Sequence, residues 1–501
     1  MIAAALLHLL SLMRTPAPFV DEGWNANRAW AFLATGRPFG TMDSGVFDRF
    51  DGYWTYFPWL GTWIHAQAIR FLGPELLSLR LVSLLFGLVL LGTVYHLGNR
   101  LYGQRVGLVA AGLLAVSPAF LSASHMARHD VIVAAFGFGA IALQLSDSSS
   151  SLPGKSLLSG LIAALTLDIH PIGIVYLAAI GGLYLLDHGR SVLRARRFSA
   201  YCLGAAVGLV WFTAIHLLPY PQTYLALGNI GFGGDRAPPF ATPDPAVWLQ
   251  SATDMGRLLG LSSDLLALLI PVALVVMLAK GTKSDRWLLA LFALLLLAFV
   301  AVVRYKGILY GVMVAPISCL LIAVSIDRLV EWWTGAHRIK SLKAKITSDL
   351  ALVLMVSIAL TSLVRSLESI RDDPMPDYLS TTALMERLIP ADDSVMGPQS
   401  YWFGLTDRQY LSWEQLLYYQ RYAPGSRLED AFRALHPQFL IIDKQMANFI
   451  TGDRQRLAEP FRYLHLSSEE LEAFLNRRGH LLASVETKSL GRVRIYRIDS
   501  N

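Results

Sequence analysis

Four short stretches of this 501-residue chain gather side chains able to do chemistry. Asp21 and Glu22 are adjacent acids near the start of PFVDEGWNANRAWAFLATGRP, which reads as an amphipathic helix. Neighbours in sequence cannot share one helix face. One carboxylate can therefore turn to a reacting group and take its proton, while the other orients it or caps the helix. A structural arrangement with Asp21 as N-cap and Glu22 in the first turn satisfies the same two residues. In SHMARHDV, His125, Arg128, His129 and Asp130 crowd together ahead of an apolar run. Asp130 suits either a second acid of a site or a helix cap, and ionisable groups at membrane depth are costly enough to suggest function. His125 and His129 are four apart and would share a helix face as a metal pair, with no third ligand evident. Asp168 and His170 in LTLDIHPIG invite the same caution. Arg304 and Lys306, in VRYKG, put two cations between apolar runs. A guanidinium fork matches phosphate oxygens, and snorkelling to lipid headgroups would equally explain the pair. Tyr53, Trp54, Tyr56, Phe57, Trp59 and Trp63 form an aromatic segment that suits a membrane interface or a sugar site.

The elements that must hold these residues follow from composition. The chain is 54% hydrophobic and only 16% charged, with mean hydropathy +0.45, which excludes a soluble enzyme and a disordered scaffold. A bilayer core needs about 20 apolar residues per helix. Spans are expected near 80–98, 106–123, 131–146, 156–168, 171–187, 199–218, 264–279, 287–303, 307–326 and 349–365, several of them short. Residues 1–13 lack the basic start and cleavage site of a signal peptide and are taken as the outer end of an eleventh, N-terminal span. Counted from that span, the even loops hold 15 Lys or Arg and the short loops opposite hold only Arg128, Arg304 and Lys306. Basic loops stay in the cytoplasm. The residues able to do chemistry thus collect on the outer face, with long outer loops at 14–75 and 219–262. The net charge of +6 serves this orientation and implies no nucleic-acid partner.

From about residue 372 the pattern changes. QFLIID (438–443), LLASVETK (481–488) and VRIYRI (493–498) read as strands, and SSEELEAFLNRRG (467–479) as a helix. Such alternation predicts a small soluble α/β domain over 372–501 after an all-α membrane domain over 1–365. Cys202 and Cys319 lie in apolar runs, so no disulfide framework is expected. The glycine-rich phosphate loops, zinc-protease helix and nucleophile elbow are absent from the sequence.

The acids Asp21-Glu22, the turn Arg128-His129-Asp130, the turn His170-Pro171, and Arg304-Tyr305-Lys306 with Pro316 beyond resemble the arrangement in GT-C membrane glycosyltransferases. Among these the chain looks most like bacterial relatives of protein O-mannosyltransferases and lipid A aminoarabinose transferases, including the rhizobial lipopolysaccharide galacturonosyltransferase type. The resemblance covers about residues 1–330. It implies a sugar donor on a polyprenyl phosphate, an acceptor hydroxyl on a glycan, lipid or protein, and reaction at the outer face, with membrane lipids as the surroundings. It further implies Asp21 as general base with Glu22 beside it, Asp130 as a second acid, and Arg128, Arg304 or Lys306 at the donor phosphate. His129, His170, Tyr53 and Tyr56 complete the expected substrate contacts. One departure stands out: aminoarabinose transferases carry a Glu-Lys pair before Pro-Pro, where this chain has Thr55-Tyr56-Phe57-Pro58. Neither a metal nor a cofactor is therefore expected. A flippase of lipid-linked sugars would instead carry mid-membrane charges and two similar halves, and a non-catalytic glycan-binding protein would need no acid at Asp21.

Overall fold

The computed structural model describes residues 2–37, 40, 42, 58–145, 153–222, 238–263, 267–304, 306–338, 363–416, 425–451 and 467–499, with a few isolated positions between. It is mostly helical, with a small sheet in the C-terminal region. Helix α1 (Ile2–Ser11) leads to α2 (Val20–Thr35) and α3 (Trp59–Leu72). Then come α4 (Leu76–Tyr102), α5 (Gln104–Ala115), α6 (Pro118–Ser124) and α7 (Asp130–Leu145). Helices α8 (Gly154–Leu165), α9 (Ile174–His188) and α10 (Arg196–Phe212) follow. After them stand α11 (Pro245–Ser263), α12 (Leu269–Lys280), α13 (Lys283–Val302) and α14 (Ala315–Arg338).

Among the described residues four helical segments are long and apolar enough to cross a bilayer: Leu76–Tyr102, Pro171–Arg194, Arg196–Leu217 and Lys283–Val302. A fifth arises if α5 and α6, bent by 67°, count as one. The bend has a local cause, because Pro118 cannot donate to the preceding turn and Ser117 accepts from Phe120 N to start a new helix. Among the described residues most of the other apolar runs form shorter helices. Helices α7 and α8 have 16 and 12 residues, about 24 and 18 Å at 1.5 Å per residue, against a core of about 30 Å. The run at 307–326 divides into a 3₁₀ turn, Ile308–Met313, and α14. The run at 349–365 lies mostly outside the described residues.

Two devices hold the bundle. Gly160 and Gly204 let α8 and α10 touch backbone to backbone, since a Cβ there would fall 2.0 Å from Tyr201 O and 1.9 Å from Leu157 O. At the far end of α4, Arg328 of α14 binds Asp285 of α13 at 2.6 Å, and the Tyr102 hydroxyl donates to the same carboxylate at 3.1 Å.

The C-terminal region opens with α15 (Met375–Leu388) and builds a five-stranded mixed sheet of order β2-β1-β3-β5-β4. Its strands are β1 (Ser394–Gly397), β2 (Gln409–Ser412), β3 (Phe439–Ile442), β4 (Gly479–Thr487) and β5 (Gly491–Ile498). Strands β1, β2 and β3 run parallel, and β5 joins β3 and β4 antiparallel. Period-2 alternation gives the sheet two apolar faces. Val395, Phe439, Ile441 and Ile495 share a core with Tyr378, Tyr401 and Trp402 and with Ala26 and Ala29 of α2. Met396, Leu440 and Ile442 pack instead beneath α16 (Leu428–Leu435), α17 (Lys444–Thr451) and α18 (Ser468–Arg478). The strands expected at 438–443, 481–488 and 493–498 and the helix at 467–479 are all present; β1 and β2 add to them.

Gly23 permits the first of these contacts. A Cβ on it would lie 1.9 Å from the Gln399 carbonyl oxygen. The sheet region therefore sits directly on the helix that carries Asp21 and Glu22.

Candidate active site at the start of the first loop helix

The N-cap of α2 is Phe19, whose side chain makes no capping bond. Glu22, at N3, supplies the cap by accepting from Phe19 N at 2.8 Å. Neither acid is placed as an Asp21 N-cap would require. Glu22 is fully buried and accepts four donors: Phe19 N, Ala127 N at 2.8 Å, and Arg80 Nε and Nη2 at 2.9 and 3.0 Å. Arg80 in turn donates to the Leu12 and Pro16 carbonyls at 3.1 and 3.0 Å. This knot ties α1, α2, α4 and the turn before α7 together. Arg80 was not singled out in the sequence, although a lone arginine in LLSLRLVSLLF is the kind of charge that needs a partner at membrane depth.

Asp21 points the other way. Its Oδ2 is bound by Nη1 of Arg128, whose Nε binds Asp130 Oδ2 at 2.7 Å. One guanidinium thus forks between the two acids and also lies 5.6 Å from the Phe19 ring centre. The Asp21 side chain keeps 17% of its surface exposed, against 1% for Asp130. Of the two acids on this guanidinium, Asp21 is thus the more open to an incoming group. Asn25, one turn along α2, donates to the Ala127 carbonyl at 2.9 Å and fixes the helix against the Arg128 turn.

The histidines gather without forming a metal helix. Residues 125–129 are a bent turn, so the spacing of His125 and His129 does not put them on one face. His125 joins His8 at 2.9 Å and the Thr15 carbonyl at 2.9 Å. His129 stacks on His170, rings parallel at 3.9 Å, and the Tyr310 ring lies 6.2 Å from His170. Asp168 turns from His170 toward His216 at 2.6 Å and Trp211 Nε1 at 2.8 Å. His65 of α3, also unremarked in the sequence, is 3% exposed and its Nε2 has no partner among the described residues. Burial lowers the His65 pKa to about 4. Burial also drives His129 and His170 well below the usual value, helped in both by the Arg128 charge. The imidazoles are therefore neutral near pH 7 and add no cation. No group of three or more His, Cys, Asp or Glu suited to a metal ion occurs among the described residues.

Arg304 and Lys306 are held by α11. Arg304 donates to the Val247 carbonyl at 3.3 Å, and Lys306 Nζ to Ser251 Oγ at 2.5 Å and the Val303 carbonyl at 2.7 Å. Burial first, then the nearby Arg304, lowers the Lys306 pKa to about 8, against an opposing pull from Asp254. Tyr53, Tyr56 and Tyr305 lie outside the described residues.

The fold is that of the GT-C membrane glycosyltransferases, resembling the lipid A aminoarabinose transferases. It is shared with ArnT from Cupriavidus metallidurans bound to undecaprenyl phosphate: TM-score 0.63, 14% identity, 99% of this chain and 97% of that one. The apo state of that protein aligns with TM-score 0.61 at 15% identity, over 99% and 96%. The archaeal oligosaccharyltransferase AglB from Archaeoglobus fulgidus, in complex with an inhibitory peptide and a dolichol-phosphate, gives TM-score 0.56 at 11% identity, over 98% and 74%. A family profile described as dolichyl-phosphate-mannose-protein mannosyltransferase matches residues 57–216, a stretch that includes Arg80, the Arg128 turn and His170. No curated protein matches the sequence at a significant level.

Proposed function

We propose that the chain is an integral membrane glycosyltransferase that moves a sugar from a polyprenyl-phosphate donor to an acceptor hydroxyl at the outer face, with Asp21 as base. The observation that carries this reading is the Asp21 carboxylate, held by Arg128 yet still partly exposed, on a fold shared with a protein whose structure holds undecaprenyl phosphate. In the reaction the acceptor proton passes to Asp21 while the acceptor oxygen bonds the anomeric carbon. The bond from that carbon to the phosphate oxygen breaks, and polyprenyl phosphate leaves. Attack opposite the leaving group inverts configuration. Glu22, saturated by its four donors, positions the helix, and Asp130 holds the Arg128 fork.

Lys306 and Arg304 are assigned to the departing phosphate, where cations stabilise developing charge. Binding of undecaprenyl phosphate to the purified protein tests this. Lys306→Gln should weaken it by about 1.5–3 kcal/mol, the range for hydrogen bonds to charged groups. Because Lys306 has a pKa of about 8, its charge is present below that pH and lost above it. Wild-type affinity should fall between pH 7 and 9, while Lys306→Arg, charged throughout, should not follow that fall. Equal affinity in wild type and Lys306→Gln at pH 7 would remove Lys306 from the donor site.

The same proposal places about eleven spans in residues 1–365 and an extracytoplasmic domain at 372–501. A cysteine introduced at Ser467 should react with an impermeant reagent on intact cells, and one at Ser191 should not. Labelling at Ser191 alone would reverse the orientation.

A further inference from the structure

The C-terminal sheet carries a second feature on the side away from α2. A cavity of about 470 Å³ opens between α16, α18 and the end of β5, within the size range of small-molecule sites. Because neighbouring residues on a strand face opposite ways, the sheet separates it from the Asp21 helix: Val395 and Ile441 face α2, Leu440 and Ile442 face α16 and α18. Its lining mixes apolar and charged side chains. The apolar part includes Phe432 and Phe474, rings stacked at 4.1 Å. The polar part includes two acids, Glu429 and Asp499, and two cations, Arg433 and Arg478.

These charges cancel, which decides the ligand class. A phosphate, a nucleotide or an acidic polymer would meet as much repulsion as attraction. A lipid tail or an apolar peptide would have to desolvate four charged groups. Hydroxyl groups, which donate to carboxylates and accept from guanidinium groups, satisfy both kinds of partner, and the C–H faces of a sugar ring suit the apolar wall. We infer that this cavity is a second saccharide site, sized for roughly two neutral sugar rings, holding a glycan remote from the point of transfer. Its assignment to an acceptor glycan rests on the glycosyltransferase reading; its ability to bind sugar does not.

The test uses the full chain in detergent, titrated with maltotriose, α-mannotriose, α-galactotriose and, as the acidic arm, trigalacturonic acid. Binding is followed by saturation-transfer NMR and calorimetry. At least one neutral trisaccharide should bind, and the double variant Glu429→Gln/Arg433→Gln should lose about tenfold or more in affinity, the size expected for a hydrogen bond to a charged group. Thermal unfolding of that variant should match wild type, since both side chains are well exposed. Asp21→Asn should bind the saccharide as wild type does, so failure of catalysis and failure of this site remain distinguishable. The inference is overturned if none of the neutral sugars binds, if trigalacturonic acid binds in preference, or if the double variant binds unchanged.

Discussion

Asp21→Asn should leave the protein folded and able to bind undecaprenyl phosphate while lowering transfer by about 10² to 10⁴-fold, the usual contribution of a general base. The substitution is nearly isosteric, and the Asn side-chain oxygen can still accept from Arg128, so the fork between residues 21 and 130 survives. What it removes is the capacity of the side chain to take a proton. Single-turnover transfer and lipid binding should be measured on the same preparation. Retained turnover would reduce Asp21 to a partner of Arg128.

The second large effect is on stability. Arg80→Met removes the only side-chain cation on Glu22 among the described residues and leaves a fully buried carboxylate uncompensated. Breaking a buried pair from one side costs about 3–5 kcal/mol. Arg80 also satisfies the Leu12 and Pro16 carbonyls, so the loss should spread to the packing of α1. Replacing both partners, as Glu22→Gln with Arg80→Met, should recover part of the stability, since an amide without a charge is cheaper to bury. Thermal unfolding in one detergent measures both; an unchanged midpoint in Arg80→Met would deny that this knot holds the site.

Much of this arrangement is readable in the sequence, for definable reasons. The strand at 439–442 shows as a short, wholly apolar run, that at 491–498 through alternation of apolar and polar residues, and that at 479–487 through its apolar opening. Ser394–Gly397 and Gln409–Ser412, four residues each, are too short to show a period. Asp21, Arg128 and Asp130 stand out because charges beside apolar runs are costly. The Arg128–Asp130 contact is local, but the reach of the same guanidinium to Asp21, over 100 positions away, is a tertiary event that nothing local encodes. The divergence of Asp21 and Glu22 follows from helix geometry. That Glu22 rather than Asp21 caps the helix is set by its N3 position behind Phe19, whereas the Arg80 partnership, 58 residues away, is silent in sequence. Span number was harder to read, because uniformly apolar runs fix that a helix forms but not where its turns break, as at Pro118 and after Met313.

The most direct test of a lipid-phosphate-dependent transferase is the release of free polyprenyl phosphate. Purified protein in detergent is incubated with lipid-linked sugars extracted from cells lacking the protein, together with an envelope extract of those cells as acceptor, and lipid products are separated by mass spectrometry. Detergent leaves no bilayer across which a flippase could act. Wild type should liberate polyprenyl phosphate in proportion to acceptor, and Asp21→Asn should release at least about 100-fold less. Intact donor after incubation with wild type, or equal release by wild type and Asp21→Asn, would contradict it.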